Sequence, residues 1–411
     1  MGIAEVARPG FTAGGEARER VLTLPDRFRP EAAGGFSAEF GLTVENQHYR
    51  IAIADGRCSV REENPTAPVA RICTDARTWL DLDAGALSGI DAFLDDRLEV
   101  RGNVDYAVRM QSLFRPSKRE RTPQDLEHIT LRAAGLDLSA FAFGHGPPVV
   151  LLHGLAATKL SYLPLLPALA ERYTVIVPDL PGHGESSKPR ARYTPAYFAR
   201  VIHALFDEMD LRDAAVVGNS MGGRIALEVA TRFPHRVNSL ILLDPAAAGL
   251  AFPLYARLLG LLPTGVGAIP VPWRKRIVVT AIRQMFASPE RLPRAGYLAA
   301  ADEFIRIYRK GRARMALLSA MRGLIADEPE AFWQRARQIT APTLILWGRE
   351  DRLVPVGLGH RLANTIRDSR LEVLPDVGHV PQFEYPEETR RLVLGFLDEI
   401  NPPRWSEPPA A

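Results

Sequence analysis

The sequence has few cysteines, no long apolar run and little net charge, and each of these absences excludes a class of protein. Cys58 and Cys73 are the only cysteines among 411 residues. Neither belongs to a Cys/His cluster, so a disulfide framework and a structural zinc site are not expected. The uncharged stretch 258–273 contains three prolines, which argues against a membrane-spanning helix there. A net charge of only +3 gives no reason to expect nucleic acid as a partner.

Residues 1–15 lack the apolar core of a signal peptide. Together with the low cysteine content, this indicates a reducing environment, and we expect a cytoplasmic protein. Ordinary fractions of apolar and charged residues, 46% and 24%, exclude a disordered or fibrous chain.

The apolar pattern divides the chain into two folded regions with predicted tails at 1–16 and 401–411. Over 17–114, segments that alternate apolar and polar residues are followed by helical periods, which predicts a small α+β domain. We expect an antiparallel sheet with one buried face. The alternating segments are 36–44, 48–54, 57–61 and 68–74. The basic, proline-containing segment 115–124 is predicted to be a linker.

From residue 125 to about 400, short apolar strands alternate with helix-length segments. The strands are 149–152, 174–177, 214–217, 240–243, 343–346 and 371–374. Their continuous hydrophobicity is typical of strands covered on both faces, so we expect a doubly wound α/β domain with a mostly parallel sheet. The long apolar interval at about 245–341 has a helical pattern and is predicted to be an inserted cap.

The most informative motif is Gly-Asn-Ser-Met-Gly-Gly at 218–223, between a predicted strand and a predicted helix. A G-x-S-x-G motif in that setting is a nucleophile elbow, where small residues allow a tight turn with the serine exposed at its apex. Ser220 is therefore the predicted nucleophile. Serine needs an adjacent base that is itself oriented by an acid.

The expected chain order for this arrangement is Ser, then Asp or Glu, then His. Asp351 follows one predicted strand and His379 follows the next, and ligands bind at the carboxyl ends of such strands. We predict Asp351 as the acid and His379 as the base. Glu350 and Asp244 remain alternatives for the acid, whereas Asp376 is too close to His379 in sequence to reach round its ring.

Backbone N–H groups are predicted to bind the oxyanion. The N–H of Met221 directly follows the nucleophile, and the loop His-Gly-Leu-Ala at 153–156 offers the N–H of Leu155. The remaining histidines, His183 among them, are predicted to be structural or surface residues. This chemistry requires no metal and no organic cofactor.

Five stretches of the chain resemble the motifs of the α/β-hydrolase family. In chain order they are His-Gly-Leu, 179–186, 218–223, Trp-Gly-Arg-Glu-Asp and Gly-His-Val-Pro-Gln-Phe-Glu. The resemblance covers about residues 125–400 and implies an esterase, a lipase, a carbon–carbon bond hydrolase or a cofactor-free perhydrolase. Ser220 argues against haloalkane dehalogenases and epoxide hydrolases, which carry Asp there. The hydrolases of ring-fission dienoates are similar around Asp351, but usually have Trp where this chain has Val380.

Residues 17–114 resemble the sterol-carrier-protein-2-like lipid-binding domain through Asp-Gly-Arg-Cys-Ser-Val, Thr-Asp-Ala-Arg-Thr-Trp-Leu and the stretch 95–114. The resemblance implies an apolar tunnel that holds an acyl chain or a sterol. Asn103 stands where the family usually has an acidic residue. A scaffold with a filled apolar core is the alternative.

Between residues 272 and 314 the predicted cap carries eleven Lys or Arg against three Asp or Glu. Such a basic amphipathic segment suits transient contact with an anionic membrane surface or an acyl carrier. It equally fits the solvated face of ordinary helices.

The sequence thus predicts a serine hydrolase of hydrophobic carboxylic esters, preceded by a lipid-binding domain. Two alternatives stay open. One is a dienoate carbon–carbon bond hydrolase or perhydrolase with the same triad, and the second is a lipid-transfer protein whose hydrolase half is inactive.

Overall fold

The computed structural model describes residues 13–122, 125–247, 263–291, 294–326 and 328–401. Most of the predicted tails, 1–12 and 402–411, therefore lies outside the described residues. The chain divides into two compact units, Met1–Glu127 and His128–Ala411.

The first unit contains a five-stranded sheet and short helices. The strands are β1 (Ala38–Val44), β2 (Gln47–Ala54), β3 (Arg57–Arg61), β4 (Ala70–Thr74) and β5 (Leu98–Gly102). The helices are α1 (Ala13–Leu22), α2 (Pro30–Ala33), α3 (Ala76–Ala84), α4 (Gly89–Leu94) and α5 (Val104–Ser112). Helix α1 begins at Ala13, so the last residues of the predicted tail are helical.

The sheet of the first unit is mixed, with the order β3-β2-β1-β4-β5. The expectation of an antiparallel sheet was wrong at one pair, because β1 and β4 run parallel. Alternating hydrophobicity records only which face of a strand is buried, not the direction of its neighbour. One face is buried as expected, through side chains such as Phe40, Leu42, Ile51 and Ile53.

Helices α3, α4 and α5 of this unit begin at residues whose side chains cap them. Asp75 accepts a hydrogen bond from the Thr78 N–H at 2.8 Å, and Asn103 accepts one from the Tyr106 N–H at 3.1 Å. Such caps satisfy backbone donors that have no partner inside the helix. Asn103, which departs from the acidic residue of the resembled family, thus has a structural role at the start of α5.

The second unit is built on an eight-stranded sheet. Its strands are β6 (Glu127–Ala133), β7 (Leu136–Phe143), β8 (Pro148–Leu152), β9 (Thr174–Pro178), β10 (Ala214–Asn219), β11 (Val237–Leu243), β12 (Thr343–Gly348) and β13 (Ser369–Leu374). The helices outside the cap are α6 (Leu166–Ala170), α7 (Pro195–Glu208), α8 (Met221–Arg232), α13 (Gly357–Thr365), α14 (Pro381–Glu384) and α15 (Pro386–Ile400). The described cap helices are α9 (Lys275–Arg283), α10 (Arg294–Tyr308), α11 (Gly311–Ile325) and α12 (Pro329–Ala336).

The strand order is β13-β12-β11-β10-β8-β9-β7-β6. Strands β8 to β13 pair in parallel, and β7 pairs antiparallel with β9. The expected doubly wound, mostly parallel sheet with a helical cap is thus confirmed. All six predicted strands lie within observed ones, and their carboxyl ends meet at one edge of the sheet. The described part of the chain contains no helix long and apolar enough to cross a membrane.

Both cysteines are free thiols on strands of the first unit, and burial raises the pKa of Cys58 to about 11.

Candidate active site

Ser220 lies at the turn between β10 and α8 with a strained backbone, at φ 53° and ψ −117°. A non-glycine residue at positive φ is unfavourable unless the surroundings hold it there. The Ser220 N–H donates to the Leu243 carbonyl at 3.0 Å, and its own carbonyl accepts from the Ala246 N–H at 2.9 Å. These bonds to the end of β11 hold the turn in place, as expected for a nucleophile elbow.

The glycines around Ser220 allow the close packing of this turn. A Cβ on Gly222 would overlap the Leu152 carbonyl oxygen at the end of β8, and a Cβ on Gly218 would overlap Gly222. On the neighbouring loop, a Cβ on Gly154 would lie 3.3 Å from the Ser220 Cβ. The loop predicted to supply an oxyanion donor is therefore next to Ser220.

His379 and Asp351 form a direct buried contact. The distance between His379 Nδ1 and Asp351 Oδ2 is 2.7 Å, and both side chains are buried. The second carboxylate oxygen, Oδ1, accepts from the N–H groups of Leu353 and Val354 at 2.8 and 3.0 Å. With three hydrogen bonds the carboxylate has a defined orientation, and it in turn orients the imidazole ring.

Asp244, considered above as a candidate for the acid, lies close to this pair but has a different role in the structure. It is fully buried and accepts from the Gly348 N–H at 2.8 Å. Burial, followed by the charge of Asp351, raises the pKa of Asp244 well above its ordinary value. The raised pKa favours the neutral form of Asp244.

Glu350 and Asp376 make different contacts in the structure. Glu350 accepts from the Val377 N–H at 3.2 Å, and the Asp376 carbonyl accepts from Arg291 at 2.6 Å.

Among the described residues, one cluster of His, Cys, Asp or Glu side chains has the spacing to hold a metal ion. It consists of Asp244, Asp351 and His379, whose possible ligand atoms lie within 4.8 Å of one another. The direct contact between Asp351 and His379 engages two of those ligand atoms as a hydrogen-bonded pair.

The loop of residues 153–156 is held by buried polar groups. His153 Nε2 accepts from the Leu180 N–H at 2.9 Å, and Nδ1 donates to the Gly154 carbonyl at 2.8 Å. Burial lowers the pKa of His153, so the ring is neutral and can bridge both groups. The predicted donors are Leu155 and Met221, and Met221 is the first residue of α8, where an N–H has no acceptor inside the helix.

A buried ion pair is formed by residues next to the same loop and to its partner Leu180. Lys159 Nζ lies 2.8 Å from Asp179 Oδ2, and each side chain is 1% exposed. Burial by itself would raise the pKa of Asp179, but the Lys159 charge and hydrogen bonds from Lys159 and Glu185 keep it well below its ordinary value. Burial also lowers the pKa of His183 to about 3. As expected, His183 has a structural position, against the ring of His153.

Apolar cap residues adjoin both loops of the site. One cluster, around Ile307, Tyr308 and Ala313, includes Ala156 of the predicted oxyanion loop together with Trp273, Phe304 and Leu317. A second cluster joins Phe286 and Tyr297 of the cap to Val380, the residue after His379. The surroundings of the site are therefore largely apolar.

Two residues that sequence reasoning overlooked connect these parts. Asn219 Nδ2 donates to the Leu243 carbonyl at 3.0 Å and to the His379 carbonyl at 3.2 Å, which ties the histidine loop to the elbow. Glu384 accepts from Gly378 N at 2.7 Å and from Ser288 N of the cap at 2.6 Å. Both residues belong to the motifs quoted above, but only the structure reveals their contacts.

Comparison with known proteins matches both units to families. Residues 147–386 match the model of the alpha/beta hydrolase fold, and residues 25–115 match that of the SCP-2 sterol transfer family.

Among curated proteins, a 2-hydroxy-6-oxo-6-(2'-aminophenyl)hexa-2,4-dienoic acid hydrolase of Metapseudomonas resinovorans is 29% identical over 274 residues. That alignment covers 65% of this chain and 89% of the relative. Among solved structures, a putative lipase from Acinetobacter baumannii superposes with a TM-score of 0.58 at 24% identity, over 68% of this chain and 93% of its own. That likeness shows the fold alone. A membrane phospholipase A is 27% identical with a TM-score of 0.57, over 68% of this chain and 88% of its own.

Proposed function

The chain belongs to the alpha/beta hydrolase fold family, and from this membership and the geometry above we propose that it is a serine hydrolase of hydrophobic carboxylic esters. Ser220 Oγ attacks the ester carbonyl carbon, and His379 takes the serine proton and passes it to the leaving alkoxide. The resulting acyl-enzyme is hydrolysed by water, which His379 activates in the same way.

The observation that carries the proposed triad is the buried 2.7 Å contact between His379 and Asp351. Asp351 holds the ring with Nδ1 protonated, which leaves Nε2 as the base, and stabilises the imidazolium that forms during attack. The link from Asn219 to the His379 carbonyl keeps this base beside the elbow. In this proposal the N–H groups of Leu155 and Met221 stabilise the oxyanion.

The preference for a hydrophobic ester rests on the two apolar clusters that contain Ala156 and Val380. An acyl chain bound beside these groups would be removed from water, and burial of apolar area stabilises the complex. The cap also contains two arginines that are largely shielded from solvent, and both have partners. Arg306 forms ion pairs with Glu303 and Glu185, and Arg314 donates hydrogen bonds to backbone carbonyls.

Turnover of p-nitrophenyl esters of increasing acyl length by the wild type and by Ser220→Ala tests this proposal. We expect a rise in kcat/KM with chain length, and a loss of about 10⁴–10⁶ in kcat on substitution. Ser161→Ala is a matched control, because Ser161 also lies in the second unit but is not part of the proposed machinery. Absence of turnover on every ester by a folded wild type would contradict the proposal.

A carbon–carbon bond hydrolase is the second candidate, favoured by the dienoic acid hydrolase relative. Its substrates absorb visible light, so bleaching of a ring-fission dienoate by the wild type measures this activity directly. Dienoate turnover that exceeds ester turnover in kcat/KM would replace the first candidate with the second.

For the first unit, which matches the SCP-2 sterol transfer family, we propose an acyl or sterol ligand. Trp79 is the only tryptophan of residues 1–127 and is buried in α3. Its fluorescence can be transferred to a fluorescent ligand bound nearby. A fluorescent fatty acid bound in this unit of the full chain should quench Trp79, and Trp79→Phe should remove that part of the transfer. Equal transfer in the Trp79→Phe variant would contradict binding in this unit.

A further inference from the structure

The cap exposes more large apolar side chains than any other part of the described chain. Six large apolar residues of the described chain are exposed, and four of them lie between residues 266 and 277. These four are Val266, Ile269, Val271 and Ile277, with Ile269 and Ile277 60% and 62% exposed. Exposed apolar side chains that cluster in one short segment indicate an interaction surface rather than ordinary surface scatter.

This segment is a fixed part of the cap. Arg314 of α11 donates to the carbonyls of Gly267 at 2.8 Å and Ala268 at 3.1 Å. Further along, Trp273 Nε1 donates to the Tyr308 carbonyl at 3.1 Å. Both anchors attach the segment to the junction between α10 and α11, so its apolar side chains are presented on a stable support.

The same junction supplies exposed positive charge. Arg309, Lys310 and Arg312 lie between the two anchoring residues Tyr308 and Arg314 and are exposed, as are Arg274 and Arg276 at the start of α9. We call these five cations and the four exposed apolar residues the basic–apolar face.

Acidic side chains near this face are already neutralised. Asp302 lies 2.7 Å from Lys275, and Glu303 lies 2.6 Å from Arg306. The third acid of the cap between residues 263 and 314 is Glu290, which belongs to the short turn Pro289–Arg291 beyond α9. Within residues 263–314 the charge balance is therefore strongly positive.

From these observations we propose that the basic–apolar face docks on an anionic lipid bilayer. Apolar side chains with cations around them match a bilayer surface, where the chains enter the acyl boundary and the cations meet lipid phosphates. A soluble acidic partner would satisfy the cations but would leave Ile269 and Ile277 without an apolar environment unless it had a matching groove.

Docking there would bring lipid close to the proposed active site. Helix α9 starts with the basic–apolar face and ends at Arg283, and two residues later the Met285 carbonyl accepts the His379 N–H at 2.7 Å. Trp273 belongs to the apolar cluster that includes Ala156. Helix α9 and Trp273 thus connect the segment that carries the face to both apolar clusters beside the site.

Cosedimentation of the full chain with vesicles tests this proposal, in a Ser220→Ala background so that hydrolysis does not alter the lipid. Vesicles of phosphatidylcholine mixed with an equal part of phosphatidylglycerol are compared with phosphatidylcholine alone. We expect binding to the mixed vesicles that is at least about tenfold weaker without the anionic lipid, since several cations near such a surface each strengthen binding.

Two double variants separate the contributions. Ile269→Ser with Ile277→Ser should reduce binding about tenfold or more by removing apolar insertion. Arg309→Glu with Arg312→Glu should abolish the preference for anionic lipid. The matched charge control is Arg212→Glu with Arg367→Glu, two exposed arginines that precede β10 and β13 at the opposite edge of the sheet.

Binding unchanged in both double variants, or reduced equally by the control, would overturn the proposal. Self-association in sedimentation velocity that Ile269→Ser with Ile277→Ser removes, without vesicle binding, would overturn it in favour of a second copy of the chain. Because binding is measured without turnover, these outcomes are independent of whether the chain hydrolyses esters.

Discussion

The two units differ in what they do with buried polar groups. Among the described residues of the first unit, the buried polar ones are Thr78, Asp83, Asn103, Asp105 and Ser112. Asn103 caps α5, and the Thr78 N–H donates to Asp75, which caps α3. The second unit buries histidines, a lysine and several carboxylates, many of them at the carboxyl edge of its sheet.

Burying charge is unfavourable unless each group has partners, so a chain that buries this many in one place has a use for them. The unit proposed to be catalytic is therefore visible in the sequence through polar motifs at strand ends. The unit proposed to bind lipid would act through the shape of its apolar interior, and its motifs mark helix caps and turns instead.

The largest expected effect lies between the two buried acids near His379. Asp351→Asn should lower kcat by about 10⁴, because the amide no longer stabilises the imidazolium. Asp244→Asn should lower kcat by less than about tenfold, or roughly 1.4 kcal/mol, because an amide resembles a neutral acid and can still accept from Gly348 N. Steady-state ester hydrolysis measures both. Equal losses would mean that Asp244 shares the role proposed for Asp351.

The next effect compares a buried ion pair in each unit. Lys159→Met leaves the Asp179 carboxylate buried without its counterion and should cost about 3–5 kcal/mol of unfolding free energy. Arg27→Met removes the partner of Asp83 in the first unit and should cost about 2 kcal/mol, because Arg27 is 17% exposed and solvent can replace part of the contact.

Urea denaturation followed by tryptophan fluorescence measures both costs, with Trp79 reporting the first unit and Trp333 and Trp347 the second. The double variant Lys159→Met with Asp179→Asn should regain part of the loss, because a neutral amide needs no counterion. No loss in Lys159→Met would show that Asp179 is stabilised by its backbone donors alone.

A third comparison uses two glycines. Gly222→Ala places a Cβ against the Leu152 carbonyl. The Cβ is held by its bond to Cα and the carbonyl belongs to the backbone, so neither can move aside, and we expect a cost of about 2–3 kcal/mol. Gly35→Ala at φ 77° meets no atom within 4 Å and should cost only about 1 kcal/mol through backbone strain. Thermal unfolding of each variant measures the difference, and equal costs would mean that the elbow has room for a Cβ at residue 222.

The smallest expected effect is a difference between the two units in how the free energy of unfolding depends on pH. The pKa of His183 is about 3 in the folded state and about 6.5 when unfolded, so its stabilising effect is complete above pH 6.5 and declines as pH falls toward 3. The second unit should lose about 2 kcal/mol between pH 7 and pH 5 through this group. The only histidine of the first unit, His48, is exposed, so that unit should change little.

His183→Gln should reduce the pH dependence of the second unit by this amount, whereas His235→Gln, at an exposed position, should not. Urea denaturation at the two pH values measures the slopes. An unchanged slope in His183→Gln would assign the dependence to groups elsewhere in the unit.

The strands of the parallel sheet could be predicted because both of their faces are buried, which leaves an uninterrupted apolar run in each. Strands β5, β6 and β7 were missed since each mixes exposed or half-buried positions with buried ones, which interrupts the apolar run. The proximity of Asp351 and His379 could be predicted because parallel strands end at one edge of the sheet.

The choice between Asp351 and Asp244 could not be made from sequence with the same force, since Asp244 directly follows β11 and Asp351 lies in the loop just after β12. It depends on a 2.7 Å contact across 28 residues of chain. Asn219 and Glu384 were missed because their partners are backbone groups from distant loops, which no local pattern records.

Covalent labelling tests directly whether Ser220 is an activated nucleophile, and it does so without knowledge of the natural substrate. A fluorophosphonate loses fluoride to an activated serine and forms a stable ester with its oxygen. Intact-mass and peptide analysis should reveal one adduct per chain, on the peptide that contains Ser220, and much slower labelling of Asp351→Asn. Absence of an adduct on a folded wild-type chain, or an adduct on another residue alone, would contradict the account.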